Sequence, residues 1–194
     1  HIGEAFSFNY DLPNDTAYAE TCASIGLVFF ARRMLEIQAK AEYADVMELA
    51  LYNGVLSGMA LDGKSFFYVN PLEVLPEACH KDERKFHVKP IRQKWFGVAC
   101  CPPNIARTLA SLGQYIYSVD DKKRELYVNL FVSNTTEIAF GDGPATQVCM
   151  ETRFPWEPSV RFAFSNVPES GMDLLARVPD YAENYHMTLG GEAV

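Results

Sequence analysis

Near residues 118–125 the hydrophobic period of this chain changes, and no single layer of structure satisfies both halves. Upstream, apolar residues recur every three or four positions. Downstream they alternate in runs such as ELYVNLFV, TEIAFG, TQVCMETRF, SVRFAFSNV, DLLARVP and YHMTLGG, separated by Gly, Pro, Asp and Asn. The first spacing places side chains on one face of a helix and the second on one face of a strand. An α+β, multidomain organisation follows: a helical part over residues 1–120 and an antiparallel β-sandwich or meander over 121–194.

Within the helical part, CASIGLVFFARRMLEIQ predicts a helix from Cys22 to about Gln38, with Ile25, Val28, Phe29 and Leu35 opposite Arg32, Arg33 and Glu36. A second helix is expected from about Ala41 to Met59, its Gly54 and Gly58 implying close packing against a neighbour. The Asp62-Gly63 turn leads into SFFYVNPLE, a short strand or extended loop stopped by Pro71. Residues 76–90, rich in charge, read as a solvated loop carrying two surface histidines, His80 and His87. A third helix, NIARTLASLGQYIYSV, is expected to begin near Pro103. Three helices are few for a domain, and the chain lacks an initiator Met, so a fragment of a longer protein is expected.

With 48% hydrophobic and 22% charged residues the chain can bury a core. A net charge of −8 and the absence of a long basic cluster argue against nucleic acid or an anionic membrane as partner, and favour a neutral small molecule. No apolar run approaches the roughly 20 residues that span a bilayer.

The five cysteines are an odd number in a chain of moderate length, which suits reduced thiols and a cytoplasmic setting better than a disulfide framework. Cys100 and Cys101 are adjacent. A disulfide between them would be strained, because one trans peptide sets its Cα atoms about 3.8 Å apart and disulfides usually need about 4.4 Å or more.

Cys100 and Cys101 lie in the turn VACCPPN, and Glu20 and Cys22 lie in ETC, where a helix is just starting. Residues two apart share a face only while the backbone is extended, so Glu20 and Cys22 can meet one ion only at such a boundary. Three thiols and a carboxylate make a donor set suited to tetrahedral Zn²⁺. The pattern is not one of the common structural zinc motifs, and on the residues alone buried thiols acting as small hydrophobes are the better explanation. Cys79 and Cys149 fit that second description.

The blocks GEAFSFNYDLPNDTAYAETCASIGLVFFARRML, SFFYVNPLEV and KWFGVACCPPNIARTLASLGQYIYS resemble the β-L-arabinofuranosidase family, glycoside hydrolase family 127, closely over residues 1–132 and more loosely beyond. The resemblance implies the C-terminal part of an (α/α) barrel followed by a β-sandwich that often pairs as a homodimer. It also implies a β-L-arabinofuranoside or related plant saccharide as substrate. Residue by residue, it implies Glu4 as acid/base, Glu20, Cys22, Cys100 and Cys101 as Zn²⁺ ligands, Cys100 as nucleophile, and Tyr68 as a sugar-pocket residue. The family's substrate-binding histidines would lie upstream of residue 1, so the fragment alone is expected to be inactive. Phe6, Phe8 and Tyr10 are candidates for an apolar wall beside Glu4 or for ordinary core, and Trp95 and Phe96 for sugar stacking or packing. A structural zinc site and a non-catalytic carbohydrate-binding relative are the competing expectations.

Overall fold

The computed structural model describes residues 3–5 and 7–194. The chain forms two compact units, one from His1–Met34 with Val46–Leu112 and the other from Leu35–Asp45 with Gly113–Val194. Among the described residues no helix is long and apolar enough to cross a membrane.

The first helix, α1, spans Thr21–Ile37 and buries Ile25, Val28, Ala31 and Leu35, the three- and four-residue stripe that the spacing predicts. Helix α2 spans Ala41–Leu49 and continues as a π-helix over Ala50–Leu56, a winding that the apolar period does not reveal. Gly54 and Gly58, at the end of that segment, meet α1 as expected. A Cβ on Gly54 would lie 2.5 Å from Ser24 Cβ, and one on Gly58 would lie 2.8 Å from Thr21 Oγ1.

This close approach organises the first unit. The segment after the Asp62-Gly63 turn runs between α1's start and residue 93: Glu20 pairs with Val69, and Phe66 pairs with both Met59 and Gln93, as isolated antiparallel bridges. Phe67 N donates to Gly58 O (2.7 Å), Thr21 N donates to Tyr68 O (3.0 Å), and the buried Thr21 hydroxyl donates to Phe67 O (2.8 Å).

The charged stretch after Pro76 is not simply solvated. It folds into two 3₁₀ turns, Ala78–His80 and Glu83–Lys85, and Lys85 is buried in an ion pair with Asp15. Helix α3 spans Cys101–Ala110, starting two residues before Pro103, since prolines in a first turn lack only N–H groups that no helical carbonyl would use. It stops short of the predicted end. Residues 111–112 are a turn, a short α4 spans Gly113–Ile116, and Tyr117–Asp120 is already strand β1, because the aromatic and β-branched run YIYSV fits either period.

In the second unit β1 pairs antiparallel with β2 (Glu125–Val128), and β3 (Asn134–Ile138), β4 (Thr146–Thr152) and β5 (Val160–Ser165) form an antiparallel meander. One pairing departs from the antiparallel expectation: β6 (Asp173–Ala176) runs parallel to β2. A parallel neighbour needs a long connection, and the intervening β3–β5 supply it. A two-stranded β7 (Thr188–Leu189) and β8 (Glu192–Ala193) complete the unit. Alternation directs Leu126, Val128, Val148 and Met150 inward, and residues of both three-stranded sheets share the resulting apolar clusters.

Replacing Gly58 by Ala is expected to cost about 1–3 kcal/mol through overpacking against Thr21. Gly26→Ala, where a Cβ meets nothing within 4 Å in α1, is expected to stabilise by about 0.5–1 kcal/mol. Urea unfolding midpoints of the two variants check the contrast; equal midpoints would contradict it.

Candidate metal centre

Two helix starts bring the candidate residues together. Glu20 is the last residue before α1 and Cys22 lies in its first turn, so the pair straddles the boundary that their spacing requires. Cys100 caps α3 and Cys101 is its first residue. Helix N-termini carry partial positive charge, so both ends favour thiolates. Opposite them, the 66–70 segment presents Tyr68.

The ligand atoms of Glu20, Cys22, Cys100 and Cys101 all lie within 4.8 Å of one another. The Cys22 sulfur is 3.4 Å from that of Cys100 and 3.6 Å from that of Cys101, and the adjacent pair is 3.9 Å apart. Cys100 Sγ is 3.5 Å from Glu20 Oε1 and 3.3 Å from Tyr68 Oη. All five cysteines of the chain are free thiols.

These separations match what a tetrahedral thiolate-bound ion demands. Metal–sulfur bonds of about 2.3 Å at tetrahedral angles set sulfurs about 3.8 Å apart, and an oxygen bound at about 2.0 Å then lies about 3.5 Å from each sulfur. Burial argues the same way. Glu20 is 8% exposed and Cys101 is 0% exposed, and a carboxylate buried beside thiols is costly unless a cation joins it. The four residues therefore fit a metal ion.

Two of the thiols and the two neighbouring tyrosines are raised above their ordinary values. Burial, followed by contact with the Cys22 thiol, pushes the Cys101 thiol well above its ordinary range. Burial also raises Cys22, partly opposed by a hydrogen bond from Asn104. Tyr68 is held protonated far above its usual range, first by its hydrogen bond with Cys100 and then by burial. Tyr18 is raised by burial and then by the charges of Glu20, Glu4, Cys100 and Cys101.

Glu4 is exposed, in a bend, and its charge acts on the same Tyr18 phenol that feels the cluster. Phe8 and Tyr10 are 76% and 96% exposed and are therefore not core residues; Phe6 lies outside the described residues. Phe96 packs, with its ring centroid 5.1 Å from Phe66 and 5.6 Å from Tyr68, whereas Trp95 is exposed. Cys79 is buried and Cys149 half-buried in β4, consistent with small hydrophobes.

His80 is exposed, whereas His87 is half-buried. Its ring lies 5.3 Å from Tyr18, both nitrogens are buried without a hydrogen-bond partner among the described residues, and burial lowers its pKa. One polar contact escaped the sequence reading altogether: Asn104 Nδ2 donates to Cys22 Sγ at 3.0 Å. The signal was available, since Asn104 falls four residues after Cys100 and therefore shares its face of α3.

Comparison with known proteins gives a consistent picture. Residues 1–114 match the family model described as β-L-arabinofuranosidase, GH127 catalytic domain, and residues 125–194 match the GH127 middle domain. The chain is 41% identical over 196 residues to the non-reducing end β-L-arabinofuranosidase of Bifidobacterium longum subsp. longum, covering 99% of this chain and 29% of that protein. A solved GH127 β-L-arabinofuranosidase from Geobacillus stearothermophilus T6 is 53% identical and superposes with a TM-score of 0.89, covering 97% of this chain and 29% of that one. A solved GH127 β-arabinofuranosidase is 36% identical with a TM-score of 0.84, over 99% of this chain and 30% of that one. The chain thus spans less than a third of the relatives it matches.

Because burial raises the Cys22 and Cys101 thiols and Zn²⁺ binds thiolates, Zn²⁺ binding by the full-length protein is expected to release protons at pH 7 and to weaken as pH falls. Titration calorimetry in buffers of different ionisation enthalpy counts those protons. Binding without proton release would contradict the assignment of these thiols.

Proposed function

The chain belongs to the β-L-arabinofuranosidase family, glycoside hydrolase family 127, and we propose that the full-length protein is a retaining, zinc-dependent β-L-arabinofuranosidase whose metal centre this chain carries. The observation that carries the reading is the convergence of Glu20, Cys22, Cys100 and Cys101 at tetrahedral spacing. Zinc would be held by these four residues and, when bound, would keep the thiols ionised at neutral pH.

The sulfurs are not equivalent. Cys101 is fully buried and surrounded by sulfur, whereas Cys100 is half-buried and faces Tyr68. Cys100 Sγ is the nucleophile: it attacks the anomeric carbon and forms a C–S bond as the glycosidic C–O bond breaks. Glu4 gives its proton to the departing oxygen. Water then attacks the same carbon, the C–S bond breaks with its electrons returning to sulfur, and Glu4 takes the proton from water. Two displacements give net retention, with sulfur in the place of the usual carboxylate. The Tyr68 hydroxyl steers the Cys100 sulfur, donating to it as a thiolate, and lines the sugar pocket.

The division into a barrel part (1–120) and a sandwich part (121–194) belongs to the same reading, supported by the change of period and by the two family matches. So does an arabinofuranoside substrate, with pairing of the sandwich domains into a homodimer. A second reading makes the metal structural, since four protein ligands already complete a tetrahedron. The half-buried Cys100, with the Tyr68 hydroxyl 3.3 Å from its sulfur, supports the catalytic reading.

Full-length protein is expected to hold about one Zn²⁺ per chain, and Cys22→Ser or Cys101→Ser to lose it. Cys100→Ser is expected to lower release from an aryl β-L-arabinofuranoside by at least about 10³-fold while circular dichroism stays unchanged. Glu4→Gln should cost about 10²–10⁴-fold. A metal-free enzyme of full activity, or an active Cys100→Ser protein, would contradict the mechanism.

A further inference from the structure

We propose that Asn104 is a positioning residue that sorts the three sulfurs: its amide commits Cys22 to the role of ligand and leaves Cys100 as the sulfur free to react. The inference rests on the metal-centre reading above and goes beyond it, because Asn104 is neither a ligand nor a group that touches the substrate.

The geometry is specific. Asn104 Nδ2 lies 3.0 Å from Cys22 Sγ. Its backbone is held at both ends, its N–H donating to Cys100 O (3.3 Å) and its C=O accepting from the buried Thr108 hydroxyl (2.7 Å). The amide therefore reaches across from α3 to the first turn of α1 on a fixed base. Among the described residues, neither of the other sulfurs has such a partner: Cys101 is in contact with the two other sulfurs, and Cys100 with those sulfurs, Glu20 Oε1 and Tyr68 Oη.

The chemistry of the two oxygen and nitrogen partners differs in a way that matters. The nitrogen of a primary amide donates and cannot accept, so the Cys22 sulfur can meet Asn104 only as an acceptor. A hydroxyl can donate or accept, so Tyr68 accommodates Cys100 whether it is a thiolate, a thiol or a thioether. A donated N–H also withdraws charge from Cys22, making it the poorer nucleophile. Cys100 faces no amide but the Tyr68 hydroxyl, at a longer 3.3 Å, whose hydrogen bond can reverse as the sulfur passes from thiolate to thioether and so leaves its lone pair available to react. Hydrogen bonds to metal ligands fix their orientation in the same way.

The test uses the full-length protein loaded with Co²⁺, whose sulfur-to-metal charge-transfer absorption reports the electron richness of the thiolates. Asn104→Asp replaces the donor by an acceptor of the same shape, and Asn104→Ala removes it without adding charge, so either variant decides the matter if the other fails to fold. The expected result has three parts: the charge-transfer band moves to lower energy, affinity measured by chelator competition falls about 10–100-fold, and iodoacetamide, which labels Cys100 first in the parent, now labels Cys22 as well. A folded variant with an unmoved band, unchanged Co²⁺ affinity and labelling confined to Cys100 would overturn the role of Asn104 alone. A parent protein that takes up no Co²⁺ would overturn the metal-centre reading and the inference with it.

Discussion

Three thiols and a carboxylate packed within 4.8 Å repel one another as soon as they ionise, and the architecture of the first unit follows from the need to hold them there. Two features offset the repulsion within the protein. The positive ends of α1 and α3 converge on the cluster, and neutral donors, the Asn104 amide and the Tyr68 hydroxyl, face two of the sulfurs. Neither supplies a full charge, which is why the four residues together suit a cation.

Position is set by backbone contacts that lie outside the cluster. Gly58 lets the π-wound end of α2 touch Thr21, and Thr21 in turn hydrogen-bonds the segment carrying Tyr68. A single small residue thereby fixes the distance between α1's first turn and Tyr68. The prolines after Cys101 tighten the other helix start without forfeiting a helical hydrogen bond. The pairing of ETC with CCPPN thus joins two helix boundaries, each specified locally, across which Asn104 and the sulfurs of Cys22, Cys100 and Cys101 make contact.

Much of this was legible before any coordinates. The stripe Ile25, Val28 and Leu35, the alternation in TQVCMET and VRFAFS, and the boundary position of Glu20 and Cys22 all follow from local periodicity, and local periodicity is what a sequence displays. What escaped depends on contacts distant along the chain. Lys85 looks solvated until Asp15 is found beside it, His87 looks like a surface residue until Tyr18 covers it, and Asn104 looks like an ordinary first-turn residue until Cys22 comes within reach. The π-winding at 50–56 and the parallel β2–β6 pairing were hidden for a related reason: both preserve the apolar pattern while changing which backbone groups meet.

The claim that three sulfurs and one carboxylate oxygen share a single ion is tested most directly by X-ray absorption at the zinc edge of the full-length protein. The account predicts a shell of three sulfurs at about 2.3 Å and one oxygen at about 2.0 Å. A shell containing imidazole nitrogen, or one with fewer than three sulfurs, would contradict it.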